Sequence, residues 1–202
     1  MPDALPRCRR VGWSEIDGWA DRVAAAVRAA DAVPATIVGL TRGGWVPARL
    51  LSDRLGTKRL VSLRAQHWGV TATPDGEAKI TEGLSGPVVG EHVLVVDDIT
   101  DTGASLRLAV DAVRAAGAAR VESATFLHIA HAAYAPTYSA EEIPRDAWVW
   151  IVFPWNYWED LASLARRAQP LGAARAAVRA TLRTACGLDV SDADLARVGI
   201  DP

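Results

Sequence analysis

Hydrophobic positions along this chain follow two alternating patterns, one typical of helices and the other typical of buried strands. Near the start, apolar side chains recur every three or four residues, which predicts a helix with one buried face. Elsewhere, short segments are largely apolar and are bounded by glycine, proline or charged residues, which predicts strands buried on both faces. The stripe of the first helix is Ile16, Trp19, Ala20, Val23 and Val27, and the strands are predicted at 35–40, 58–65, 91–98, 119–130 and 146–153.

Helices at 45–56 and 103–117 are predicted between these strands. Regular alternation of strands and helices indicates an α/β fold with a doubly wound, mainly parallel sheet that is covered by helices on both faces. Ligands of such sheets bind beyond the carboxyl ends of the strands. Polar or glycine-rich turns that follow a strand are therefore the candidate binding positions.

The remaining segments predict a lid and a helical tail. Residues 67–91 contain glycines and prolines but few aliphatic side chains, which is typical of a flexible lid loop. The spacing is helical over 156–187 and again over 191–199. We therefore expect one domain over 13–160 and a helical C-terminal extension over 161–202, packed on the same domain.

Composition restricts the class of protein. The chain has 202 residues, of which 50% are hydrophobic and 23% charged, and this suits a single domain with a substantial core. A net charge of −2 gives no general reason to bind nucleic acid, and no apolar run predicts a transmembrane helix or a signal peptide. Cys8 and Cys186 are far apart and fit no metal spacing. We expect a cytoplasmic protein with reduced thiols and with neither a nucleic-acid nor a membrane partner.

The segment VLVVDDITDTGAS, residues 93–105, carries the most specific chemical pattern of the chain. A calcium loop that starts at Asp98 would need a bidentate Glu where Ala109 stands, which excludes that interpretation. A diphosphate–magnesium motif of the DDxxD kind works from one face of a helix, whereas these aspartates end a strand. Neither metal-binding motif fits the predicted local structure.

A site for a phosphorylated sugar fits the same segment. Asp97 and Asp98 can accept hydrogen bonds from a sugar diol. The turn that follows leads into a helix N-terminus, where free N–H groups and the hydroxyls of Thr100, Thr102 and Ser105 suit a phosphate. Three aspartates directly after a buried strand are costly without partners, which favours a ligand site over a simple acidic turn.

These residues resemble a known family. A hydrophobic strand, two acids, two further residues, Asp-Thr-Gly, a small residue and a hydroxyl resemble the phosphoribosyl-pyrophosphate (PRPP) motif of type I phosphoribosyltransferases. GLTRGGWVPARLLSDRLG resembles the pyrophosphate loop and the following helix of that family. WSEIDGWADRV and WIVFPW resemble the bacterial xanthine–guanine and hypoxanthine (purine) branch, so the resemblance covers residues 13–160.

The resemblance implies roles for individual residues. Asp97 and Asp98 would bind the ribose hydroxyls and contact Mg²⁺, directly or through the substrate, and Asp101 would be the catalytic acid–base group near N7 of the base. The 5-phosphate would be bound by Thr100, Asp101, Thr102, Gly103, Ala104 and Ser105. The pyrophosphate would be bound by Thr41, Arg42, Gly43 and Gly44, with a cis peptide between the first two, and the base by Trp150, Ile151 and His128.

The implied reaction is Mg²⁺-dependent transfer of phosphoribose from PRPP to a 6-oxopurine in purine salvage, and we expect a homodimer or tetramer. His128 stands where that branch usually has a lysine, so the base stays open among xanthine, guanine, hypoxanthine and less usual heterocycles. Two alternatives remain, a PRPP-binding regulatory protein without catalysis and a phosphoribosyltransferase for a non-purine heterocycle. A metal site at His128 and His131 is not expected, because a spacing of three on a strand points the side chains to opposite sides.

Overall fold

Contacts within the protein divide the chain into two units. The computed structural model describes residues 4–67, 78–169 and 174–200. One unit comprises Ser14–Trp148, and the other comprises Met1–Trp13 together with Val149–Pro202. The boundary between the two units thus lies between residues 148 and 149. The sequence suggested a domain boundary after residue 160, and that boundary stays a prediction.

Strands and helices alternate through most of the described chain. In chain order the elements are β1 (Cys8–Arg10), α1 (Trp13–Ala29), β2 (Thr36–Thr41), α2 (Trp45–Leu55), β3 (Arg59–His67), β4 (Ala78–Glu82), β5 (His92–Thr100), α3 (Ala104–Ala115), β6 (Arg120–Ile129), β7 (Tyr138–Ile143), β8 (Trp150–Val152), α4 (Tyr157–Ala168), α5 (Arg175–Thr181) and α6 (Asp192–Arg197). A 3₁₀ turn occupies Arg145–Ala147, and a π-helical turn, Leu182–Cys186, continues α5. In the described part of the chain, every helix is too short or too polar to span a lipid bilayer.

A six-stranded sheet forms the centre of the Ser14–Trp148 unit. Its strand order is β4-β3-β2-β5-β6-β7. β4 runs antiparallel to β3, and all other neighbouring strands are parallel. This arrangement confirms the predicted α/β class with a mainly parallel sheet, and it places β2 and β5 side by side at the centre.

Helices cover both faces of this sheet. Val95 of β5 packs with Leu106 and Val110 of α3 in one apolar cluster. On the opposite face, the ring of Trp19 in α1 lies 6.2 Å from the ring of Phe126 in β6. All five apolar residues predicted to form the stripe of the first helix are buried. The sheet is therefore wound on both sides, as the buried strand pattern predicted.

The second unit combines a small sheet with the C-terminal helices. β1 and β8 pair in parallel, with Cys8 opposite Trp150 and Arg10 opposite Val152. Helices α4 to α6 and the π-helical turn bury one apolar cluster, in which Leu182 is fully buried. The C-terminal segment is thus helical, as its spacing predicted, although it is divided into shorter helices than expected.

Strands β1, β4 and β7 are not among the predicted strands. β7 carries polar residues such as Ser139 and Glu141 at the edge of the sheet, so it lacks a continuous apolar run. β4 lies inside the predicted lid loop, so the described part of that segment is not a simple loop, and residues 68–77 fall outside the described residues. The strand predicted over 146–153 is shorter, since only Trp150–Val152 pair with a neighbour.

Replacing Val113 with alanine should destabilise the protein by about 2 kcal/mol, because it removes two carbon atoms from an α3 side chain that is 0% exposed. Val89→Ala is the matched control. That side chain is 74% exposed, and its truncation should change stability by less than about 0.5 kcal/mol. Chemical denaturation followed by circular dichroism measures both variants. Equal effects would contradict the packing of α3 against the sheet.

Candidate active site

Two aspartates lie near the carboxyl end of the central strand β5, which ends at Thr100. Asp98 is 8% exposed, and its amide donates a hydrogen bond to Oδ1 of Asp97 at 3.0 Å. Burial raises the pKa of Asp97 well above its usual range, and the charge of Asp98 adds to this rise. Hydrogen bonds from the amides of Asp98 and Gly44 oppose it. Two acids held this closely favour a ligand that supplies hydroxyl donors or a cation.

The loop between β2 and α2 closes directly on this carboxylate pair. A Cβ placed on Gly43 would lie 2.7 Å from Cγ of Asp98. A Cβ placed on Gly44 would lie 2.7 Å from Cα of Asp97. Real side chains do not approach so closely, so a larger residue at Gly44 would collide with backbone and one at Gly43 would displace the Asp98 carboxylate. The structure therefore brings the predicted ribose-binding acids and the predicted pyrophosphate loop into contact.

The other two residues of this loop lie at the end of β2. Thr41 is the last residue of the strand, and its hydroxyl donates to the carbonyl oxygen of Leu63 at 3.4 Å. Arg42 is exposed. The peptide bond between Thr41 and Arg42 is cis, as the family resemblance predicts. Because α2 begins at Trp45, the loop amides lie at a helix N-terminus, where anions bind well.

The turn after β5 enters α3 through a glycine in the left-handed region. Gly103 has φ of 84°, and a Cβ there would lie 2.6 Å from the carbonyl oxygen of Tyr134. The carbonyl of Thr102 accepts a hydrogen bond from the amide of Ala133 at 3.0 Å, and its hydroxyl accepts one from the amide of Ala104 at 3.3 Å. These contacts fix the turn, and the amides that open α3 are candidates for a phosphate.

Thr100 occupies a different place from the rest of this turn. It is 1% exposed, and its hydroxyl donates to the hydroxyl of Thr125 at 3.2 Å. The sequence suggested that this hydroxyl faces a phosphate, whereas the structure directs it into the core, because Thr100 is still a residue of β5. A phosphate contact from Thr100 would come from its backbone. Asp101 and Thr102 are exposed, and Ser105 is partly exposed.

A histidine without a predicted role in the reaction lies beside Asp101. Nε2 of His131 is 3.8 Å from Oδ1 of Asp101, and the two side chains are 34% and 49% exposed. His131 lies just beyond the end of β6, and Asp101 just beyond the end of the neighbouring parallel strand β5. Both residues follow a predicted strand, and this was the sequence signal for their contact, since the ends of adjacent parallel strands meet at one edge of a sheet.

The three residues predicted to contact the base lie in different units. His128 is 8% exposed, lies opposite Thr100 in the register of β5 and β6, and has no hydrogen-bond partner for Nδ1 among the described residues. A buried ring nitrogen of this kind is a candidate for a ligand or water contact. Trp150 and Ile151 belong to β8 in the other unit, where Ile151 is 8% exposed. Their contact with a base stays a prediction.

Comparison with known proteins decides the family. The sequence profile described as "Phosphoribosyl transferase domain" matches residues 13–165, more than half of the chain. The chain belongs to this family. It is therefore an enzyme of the phosphoribosyltransferase class, as its PRPP motif predicts.

Named relatives of this phosphoribosyltransferase agree with the family. The xanthine-guanine phosphoribosyltransferase of Gluconobacter oxydans is 28% identical over 124 residues, which cover 59% of this chain and 67% of the relative. The solved purine phosphoribosyltransferase of Pyrococcus horikoshii is 27% identical with a TM-score of 0.63, covering 73% of this chain and 93% of that chain. The xanthine-guanine-hypoxanthine phosphoribosyltransferase of Helicobacter pylori is 21% identical with a TM-score of 0.62, covering 79% and 99% of the chains, and supports the fold.

Replacing Gly44 with alanine should weaken PRPP binding by about tenfold or more, because the added Cβ would lie 2.5 Å from the carbonyl oxygen of Val96 and would displace the loop. Gly18→Ala is the matched control, since a Cβ at Gly18 in α1 would meet only Nη1 of Arg22, at 3.9 Å. Isothermal titration calorimetry with PRPP measures binding, and circular dichroism checks folding. Binding by Gly44→Ala at the wild-type affinity would contradict a function of this loop in holding the substrate.

Proposed function

We propose that this phosphoribosyltransferase transfers phosphoribose from PRPP to a 6-oxopurine, giving a nucleoside monophosphate and pyrophosphate in purine salvage. The observation that carries the proposal is the contact between the carboxylate pair Asp97–Asp98 and the glycine loop at 43–44. It joins a site suited to a sugar diol with a site suited to a diphosphate, and PRPP contains both groups. The named purine enzymes among the relatives support a purine as the acceptor.

The proposed substrate position follows from the edge of the sheet. Asp97 and Asp98 accept hydrogen bonds from the two ribose hydroxyls. The turn from Asp101 to Ser105 holds the 5-phosphate through its amides and the exposed hydroxyl of Thr102, next to the N-terminus of α3. The loop amides at Gly43 and Gly44 and the guanidinium of Arg42 hold the pyrophosphate. Each group of PRPP thus meets backbone or side chains at the end of β2 or β5.

A magnesium ion fits the donors at this edge. Mg²⁺ prefers carboxylate oxygens and is commonly held by one or two carboxylates together with substrate phosphates. Asp97 and Asp98 provide two such carboxylates, and bound PRPP would supply further oxygens. Among residues 4–67, 78–169 and 174–200, His, Cys, Asp and Glu side chains form no group of three or more suited to a metal ion. When bound, the ion would neutralise negative charge on the pyrophosphate as it leaves.

Asp101 is the proposed acid–base residue. Displacement of pyrophosphate by a purine nitrogen requires a proton to leave the base, and an exposed carboxylate near the site can accept it. His131 is a proposed positioning residue, since its Nε2 lies 3.8 Å from Oδ1 of Asp101 and its ring can limit the orientations of that carboxylate. Trp150, Ile151 and His128 are the proposed contacts of the base. An aromatic ring and an aliphatic side chain suit the two faces of a purine, and an imidazole suits its polar edge.

A panel of bases tests the substrate. With PRPP and Mg²⁺, we expect release of pyrophosphate with xanthine, guanine or hypoxanthine, and loss of that release when EDTA removes the metal. Release only with a pyrimidine or an unusual heterocycle would contradict the purine assignment. The absence of release with every base, together with retained PRPP binding by calorimetry, would favour a PRPP-binding regulator.

Asp101→Asn should lower kcat by on the order of a hundredfold while PRPP affinity changes little, because the amide cannot accept the proton of the base. Asp111→Asn is the matched control, since Asp111 is an exposed residue of α3 that faces Arg114 at 3.5 Å. Single-turnover kinetics measures the rate, and calorimetry measures PRPP binding. Loss of PRPP binding in Asp101→Asn would refute the acid–base role and point to a function in holding the 5-phosphate.

A further inference from the structure

Cys8 and Cys186 are distant in sequence but adjacent in the unit formed by residues 1–13 and 149–202. Cys8 lies in β1, and Cys186 ends the π-helical turn with a side chain that is 0% exposed. Both belong to the same apolar packing cluster, and each thiol shifts the pKa of the other. Sγ of Cys8 donates to the carbonyl oxygen of Pro6 at 3.5 Å. Both cysteines are free thiols. The long separation along the chain hides this pair from sequence analysis.

The residues that flank the two cysteines hold their segments together. Nη1 of Arg7, the residue before Cys8, donates to the carbonyl oxygen of Thr184 at 3.3 Å. A Cβ at Gly187, the residue after Cys186, would lie 3.9 Å from Cζ of Arg7. The side chain of Arg7 is therefore bonded to the backbone just before Cys186 and lies close to the residue just after it. The backbone of the segment around Cys8 is also held by β8, because the amide of Trp150 donates to the carbonyl oxygen of Arg7 at 2.8 Å.

We propose that Cys8 and Cys186 are a modification site at which a peroxide forms an intramolecular disulfide. Cys8 is partly exposed, so its thiolate attacks the peroxide first. The O–O bond breaks, hydroxide leaves, and Cys8 becomes a sulfenic acid. The thiolate of Cys186 then attacks the Cys8 sulfur, the S–O bond breaks, and a second hydroxide leaves. In total, two thiols lose two protons and two electrons, and hydrogen peroxide becomes two waters.

The surroundings of the thiols make this oxidation slow. Burial raises the pKa of the Cys8 thiol to about 12, with further contributions from Cys186 and the charge of Asp160, while Arg167 opposes the rise. Burial also raises the pKa of Cys186, while the neighbouring Cys8 thiol and the charges of Arg167 and Arg7 oppose that rise. Because the thiolate is the reacting form, the rate should increase towards alkaline pH. The pair therefore suits a stabilising cross-link better than a fast peroxide sensor.

Oxidation of the full-length protein tests the site. The folded protein is incubated with hydrogen peroxide at neutral and at mildly alkaline pH. It is then denatured in the presence of iodoacetamide, which alkylates free thiols, and its mass is measured by mass spectrometry without reductant. We expect a mass lower by two hydrogen atoms, no alkylation of either cysteine, recovery of both thiols with dithiothreitol, and faster conversion at the alkaline pH. Peptide mapping should identify one peptide pair that joins Cys8 to Cys186. A product with sulfinic Cys8 and alkylated Cys186 would overturn the proposal.

Single-thiol variants and unfolding complete the test. In Cys186→Ser, peroxide should oxidise Cys8 without forming an intramolecular cross-link. In Cys8→Ser, Cys186 should still react with iodoacetamide after the peroxide treatment. The oxidised wild type should unfold at a temperature higher than the reduced form by on the order of 5 °C, because the cross-link restricts the unfolded chain. An unchanged unfolding temperature after complete disulfide formation would refute the stabilising role. A disulfide between two copies of the chain, seen as a dimer on a non-reducing gel, would refute the intramolecular site.

Discussion

The close approach of a glycine loop to two carboxylates is the constraint on which the site depends. β2 and β5 are parallel neighbours at the centre of the sheet, so the loops that follow them meet at one edge. Gly43 and Gly44 let the first loop touch the acids near the end of β5. A side chain at Gly44 would collide with the backbone of β5, and one at Gly43 would displace the Asp98 carboxylate. The amide of Gly44 then bonds to Asp97 and partly offsets the cost of burying that carboxylate.

This arrangement connects stability with ligand binding. Asp97 and Asp98 lie close enough for their charges to repel, and burial strengthens that repulsion. A sugar diol can donate two hydrogen bonds to the pair and thereby reduce the free-energy cost of holding two acids side by side. Tight packing behind the turn, where Gly103 meets Tyr134, keeps these groups in place before the ligand arrives.

The sequence predicts those parts of the protein that depend on local chemistry. The stripe of α1 and the apolar strand β5 follow from side-chain spacing, and the motif at 93–105 identifies the family because its acids, glycine and hydroxyls must occur in that order. Contacts between distant segments are not encoded in this way. Thr100 turns into the core because β5 continues through it. His131 lies beside Asp101 because β5 and β6 are neighbours, and a position after a strand does not by itself show which strands pair. β7 escapes prediction because an edge strand can remain polar.

The pairing of β1 with β8 imposes an order of assembly during synthesis. Residues 8–10 are translated early, whereas the strand that pairs with them, residues 150–152, emerges much later. At about 5–20 residues per second, the nascent first strand waits on the order of ten seconds for its neighbour. The described strands of the larger sheet all lie between residues 36 and 143, so that sheet can form on the ribosome first. The small sheet is then the last to close, because β1 lacks its partner strand until residues 150–152 have left the ribosome.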